Sequence, residues 1–85
     1  MKEFRYVITD PVGIHARPAG ELVKTAKQYD CSIQMEKGER RGDCKKIFGV
    51  MGLAVKKGNE VRMIFDGIDE EEACRALEAF MKANL

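Results

Sequence analysis

The spacing of apolar residues switches repeatedly between a period of two and a period near 3.6. That alternation constrains the fold more than any other feature of the chain. Residues 3–9 alternate, with Phe4, Tyr6 and Ile8 on one side and Arg5, Val7 and Thr9 on the other, which predicts a strand. Asp10-Pro11-Val12-Gly13 ends it, because proline lacks a donor and glycine reaches backbone angles that other residues avoid. Residues 16–28 predict a helix whose apolar stripe is Ala19, Leu22, Val23 and Ala26, with Glu21, Lys24, Lys27 and Gln28 toward water. Pro18 falls in its first turn, where a missing N–H costs nothing.

Residues 31–37 predict a second strand with Cys31, Ile33 and Met35 inward, and Lys37-Gly38-Glu39 turns the chain into a short third strand near 39–43. Residues 47–53 are apolar with two glycines and predict a short helical turn. Gly58-Asn59 is a turn, and Glu60 to Phe65 alternates as a fourth strand with Val61, Met63 and Phe65 on one face. For the last helix, Asp69 and Glu72 are expected to form a capping box, with Ile68 and Ala73 as a hydrophobic staple. Its buried stripe is Ala73, Ala76, Leu77 and Phe80. The order βαββαβα leaves room for a strand between the first two. The expectation is a split βαβ arrangement of the α+β class, with helices on one face of an antiparallel sheet, in one domain spanning residues 1–85.

Composition removes several function classes. Fifteen Lys and Arg against fourteen Asp and Glu give a net charge of +1, which argues against a general nucleic-acid binder. Residues 31–43 also lack the aromatics on which bases would stack. Cys31, Cys44 and Cys74 form no close pairs, so reduced thiols are expected rather than a disulfide framework or a zinc site. One histidine, His15, and one serine, Ser32, leave no Ser-His-Asp triad and no multi-histidine metal site, so neither a cofactor nor a metal is expected. No carboxylate at a recognisable spacing stands out to orient that histidine. No apolar stretch is long enough to span a membrane, and the N-terminal residues lack the apolar core of a signal peptide; a cytoplasmic protein is expected.

His15 stands just ahead of the first predicted helix, where unpaired amides and the helix dipole favour an anion. Arg17 adds a full positive charge. Imidazole is a nucleophile near neutral pH, so attack on a phosphoryl donor would give a phosphoramidate whose oxygens these groups could meet.

The string Gly13-Ile14-His15-Ala16-Arg17-Pro18-Ala19 resembles the active-site motif of the histidine-containing phosphocarrier (HPr) family of the bacterial sugar phosphotransferase system. The resemblance extends over almost the whole chain through the element order, the Ile47-Phe48-Gly49-Val50-Met51 run and Asp66-Gly67. It implies an open-faced β-sandwich, with four antiparallel strands and three helices on one side. It further implies a carrier rather than an enzyme, one that accepts a phosphoryl group from enzyme I on Nδ1 of His15 and passes it to IIA domains of sugar permeases. Arg17 would steady the phosphate, and the amides of Ala16 and Arg17 would donate to it.

The resemblance also implies docking through Ile47, Phe48 and Met51 and through the first helix near Gly20, Lys24 and Lys27, by a monomer with no membrane insertion. Core packing competes with docking for Ile47 and Phe48, and an ordinary solvated face competes for the lysines. Gly20 would offer a partner only backbone. Where many relatives carry a regulatory serine, this chain has Lys46, so regulation of that type is not expected. The rival account is a docking module of the same family that carries no phosphate.

Overall fold

A computed structural model describes residues 1–85. The elements run β1 (Lys2–Val7), α1 (Ala16–Ala26), β2 (Ser32–Lys37), β3 (Arg40–Asp43), α2 (Ile47–Met51), β4 (Glu60–Asp66) and α3 (Glu70–Asn84). The sheet order is β1-β4-β2-β3, every pair antiparallel, so β4 fills the gap between β1 and β2 as the split βαβ pattern requires. Register places Met63 opposite both Phe4 and Met35, which stacks the inward residues of three strands in one row. α1 and α3 pack on each other, α3 on β1 and β4, and α2 on α1 and β3.

Period-two and helical stripes meet in one core. Ile33, Met35, Val61, Met63 and Phe65 come from the sheet, and Ala19, Leu22, Val23, Ala26, Ala73, Leu77 and Met81 from the helices. Met81, one helical turn beyond Leu77, was absent from the expected stripe and is fully buried. The outer face of the sheet is polar. Arg62 on β4 bridges Glu3 on β1 at 3.1 Å and Glu36 on β2 at 3.0 Å, and Glu36 also pairs with Arg41 on β3. These charges hold Glu36 below its usual carboxylate range, chiefly through its hydrogen bonds from Arg41 and then Arg62.

Two close approaches bring α2 onto β3. A Cβ on Gly42 would collide with the carbonyl oxygen of Gly49 and lie 2.8 Å from its carbon. One on Gly49 would lie 2.8 Å from the Asp43 oxygen. The glycines in this short helix are therefore used for backbone contact. At the far end of α2, Lys37 Nζ donates to the carbonyls of Leu53 and Ala54, and Arg40 Nη2 to that of Gly52. The helix end is thus met by cations from the β2–β3 hairpin.

Several local expectations need correction: β1 ends at Val7 rather than 9, and α2 ends at Met51 rather than 53. α1 ends at Ala26 rather than 28, because Gln28 and Tyr29 bond to carbonyls three residues back and tighten the chain out of the α-helix. The capping box does not form. Asp69 precedes α3, but its carboxylate accepts no bond from that helix. Instead its two oxygens take the N–H groups of Asp30 and Cys31, each at 2.8 Å, tying the α1–β2 turn to the β4–α3 turn. Glu70, not Glu72, reaches back, accepting from Gly67 N–H at 3.1 Å. The staple fails as well, since Ile68 is 95% exposed.

The tie at Asp69 has a pH signature. The Asp30 amide hydrogen bond, followed by the one from Cys31, holds its carboxyl below the usual range. A depressed folded-state value means the stabilisation is present above the unfolded value and is lost as pH falls through the folded one. Urea midpoints measured from neutral pH into acid should therefore fall less steeply for Asp69→Asn than for the parent. Parallel curves would show that this carboxylate adds no pH-dependent stability.

Burial disfavours the thiolate form of all three cysteines. Burial pushes Cys31 up to about 11 and Cys44 up to about 12, and Cys74, half-buried, is also raised chiefly by desolvation.

Candidate functional site

The β1–α1 connection is pinned from both sides. Thr9 and Asp10 donate their N–H groups to the Leu85 carbonyl at 2.6 and 2.9 Å, and Ile14 donates to that of Val55 at 3.0 Å. Gly13 takes φ +81°, and a Cβ there would lie 2.7 Å from Lys56 Cα, so glycine meets both a left-handed turn and a backbone crossing. Ile14 plugs into the core at 8% exposure, which forces the next residue outward.

That residue is His15, the N-cap of α1, in extended conformation at φ −121° and ψ −176°. Its side chain makes no capping bond and is 45% exposed. The N–H groups of Ala16 and Arg17 have no acceptor in the protein; Pro18 has none to offer, and Ala19 donates to the His15 carbonyl at 2.9 Å. Within the first turn, Ala16 to Pro18, two donors are thus free where three are usual. The Arg17 guanidinium is exposed and makes no ion pair or hydrogen bond. The positive helix end, two unpaired amides and an unpaired guanidinium thus belong to residues next to His15, and His15 and Arg17 line the same hollow.

Asp10, His15, Arg17, Pro18, Glu21 and Asn84 line a shallow hollow of about 310 Å³. Three of these, Asp10, Glu21 and Asn84, were not expected from sequence. Asp10 places a carboxylate near the histidine that no fixed spacing revealed, its Oδ2 lying 3.9 Å from His15 Nε2. The five-residue separation across a proline turn follows no helical or strand spacing, so nothing local signals it. Glu21 was legible only as a solvent-facing helix residue, and Asn84 reaches the hollow from the end of α3.

The expected docking residues divide. Phe48 is 84% exposed and Met51 37%, while Ile47 is half-buried and packs against the core. For Phe48 the core-packing alternative is excluded; for Ile47 it holds in part. Gly20, Lys24 and Lys27 are exposed, and with Arg17 they follow helical spacing along one stripe of α1. Because α2 packs on α1, this basic stripe and the apolar pair lie on the helical side of the molecule. Lys46 stands exposed at the start of α2 with no side-chain capping bond.

No cluster of histidine, cysteine and carboxylate side chains could hold a metal ion. No helix is long and apolar enough to cross a membrane.

Residues 2–83 match a family model described as the PTS HPr component phosphorylation site. The chain is 40% identical over 81 residues to the phosphocarrier protein HPr of Lysinibacillus sphaericus, covering 95% of this chain and 92% of that protein. The histidine-containing phosphocarrier protein of Mycoplasma superposes with a TM-score of 0.94 at 38% identity, covering 96% of this chain and 93% of that one. HPr from Thermoanaerobacter tengcongensis gives 0.93 at 40% identity, covering 98% and 93%.

Proposed function

The chain belongs to the HPr family of phosphocarrier proteins, and from that premise we propose that it accepts a phosphoryl group on His15 from phospho-enzyme I and passes it to IIA domains of sugar permeases. The observation that carries this is the convergence at the start of α1: an exposed imidazole beside two unpaired amides and an unpaired arginine.

In the transfer, a ring nitrogen of His15 attacks phosphorus. A nitrogen–phosphorus bond forms as the donor's bond to phosphorus breaks, and that electron pair stays with the donor. The Ala16 and Arg17 amides and the Arg17 guanidinium take up the charge of the three phosphoryl oxygens. The group stays at the surface, where a second partner can remove it. The chain works as a stoichiometric carrier in the cytoplasm, a monomer needing neither cofactor nor metal, and its 85 residues act as one domain.

Phe48 and Met51 form an apolar contact for partners, flanked by Lys24 and Lys27, which suit acidic surfaces. Ile47 contributes its exposed half, and Gly20 lets a partner approach the helix backbone. Lys46 carries no hydroxyl, so this surface is not switched off by serine phosphorylation. The docking-module rival explains Phe48 and Met51 equally well, but gives no reason for a free arginine beside an exposed histidine.

Incubation with enzyme I and phosphoenolpyruvate tests the proposal. The expected result is a mass increase of one phosphoryl group that is lost in acid and transferred to an added IIA domain. A protein that stays unmodified with active enzyme I overturns it.

A further inference from the structure

The carboxylate of Asp10 is held in place independently of His15. Its Oδ2 accepts the N–H groups of Val12 and Gly13, each at 3.0 Å, while the Asp10 N–H is fastened to the Leu85 carbonyl. That same Oδ2 faces His15 Nε2 at 3.9 Å, a distance at which attraction acts through space rather than through a formed hydrogen bond. Neither ring nitrogen makes a hydrogen bond within the protein, so this oxygen is the polar group the protein itself sets against the ring.

Resting on the carrier role above, we propose that Asp10 is a positioning residue for His15: it holds the ring proton on Nε2 and so reserves the Nδ1 lone pair for phosphorus. An imidazole that attacks through one nitrogen must carry its proton on the other. As the Nδ1–phosphorus bond forms and the donor's bond breaks, Nε2 keeps its proton throughout, and positive charge develops on the ring opposite a fixed carboxylate. The same carboxylate disfavours a phosphoryl group on Nε2, where two anions would face each other. The other charged groups around the ring are Arg17 and Glu21 of α1, with Asn84 of α3 as a neutral neighbour. Neither Arg17 nor Glu21 forms an ion pair with the imidazole.

Both side chains are partly exposed, at 28% for Asp10 and 45% for His15, so the interaction is sized for near-aqueous surroundings. Opposite charges at this separation in water are worth roughly a five- to tenfold change in an equilibrium or rate.

The test compares the parent with Asp10→Asn, whose side-chain oxygen can still accept from Val12 and Gly13. Nitrogen-15 spectra of the neutral ring read the tautomer without any phosphoryl donor, so the outcome is separate from that of the carrier assay. The parent should hold its proton on Nε2. In Asp10→Asn the Nδ1–H share should rise by about twofold relative to Nε2–H, because the neutral ring meets the carboxylate only as a dipole, and uptake from phospho-enzyme I, in which full charge develops on the ring, should slow by about fivefold. Asp10→Ala, which removes carboxylate and turn together, should show at least as large a tautomer change. An unchanged tautomer ratio in both variants overturns the role of Asp10, even if both still accept phosphate.

Discussion

His15→Ala is expected to take up no phosphoryl group from enzyme I and phosphoenolpyruvate, while its unfolding free energy stays within about 0.5 kcal/mol of the parent's. Both halves follow from the geometry. His15 is the only histidine, so no second imidazole can substitute. Its side chain is exposed and caps nothing, so truncation opens no cavity and strands no buried group. The loop that carries it is fixed by Ile14 in the core and by backbone bonds to Val55 and Leu85, all of which survive the substitution. Mass spectrometry after incubation, paired with thermal unfolding, checks the two halves together. Phosphorylation persisting in the variant would place the acceptor elsewhere. Lost uptake with a lowered midpoint would assign His15 a structural role that its exposure argues against.

The largest expected stability loss lies far from the ring. Gly42→Ala should destabilise the fold by about 3 kcal/mol, because the added methyl would occupy the space of the Gly49 carbonyl. Neither backbone can yield cheaply, since Gly42 is paired with Met35 in the sheet and Gly49 lies inside α2. For a chain this size, that loss lowers the melting temperature by roughly 12–24 °C. Gly20→Ala is the matched control: no atom lies within 4 Å of its added methyl, and in mid-helix it should gain up to about 1 kcal/mol. If Gly42→Ala melts with the parent, α2 can shift off β3 at little cost. Phe48 and Met51 would then sit on a looser element than the one described here.

Gly42 also illustrates where local pattern stops informing. Met35, Met63 and Phe65 were assignable to the inner face because a side chain's face in a strand depends only on its parity. Ala19, Leu22, Val23 and Ala26 were assignable for the equivalent helical reason. Gly42 and Gly49 read as weak points in a strand and a helix, and their use became visible only once two backbones were seen to cross. Asp69 shows the same limit from the other direction. Its position before α3 predicts a cap, yet its oxygens are taken by amides 38 and 39 residues away. Local propensity offered Asp69 one partner; the meeting of two turns offered it two others.

The sequence by itself determined the elements, the inward faces and the place of the one histidine ahead of the first helix. Periodicity and residue chemistry act over a few positions, and His15 is the only imidazole in the chain. The tertiary structure decided which donors near His15 are free, that Asp10 stands beside its ring, and that Phe48 rather than Ile47 is fully offered to solvent. Those outcomes depend on how the β1–α1 loop is pinned by Val55 and Leu85 and on how α2 is seated against Gly42. Both are contacts between segments remote in the chain, and short-range spacing carries no information about them.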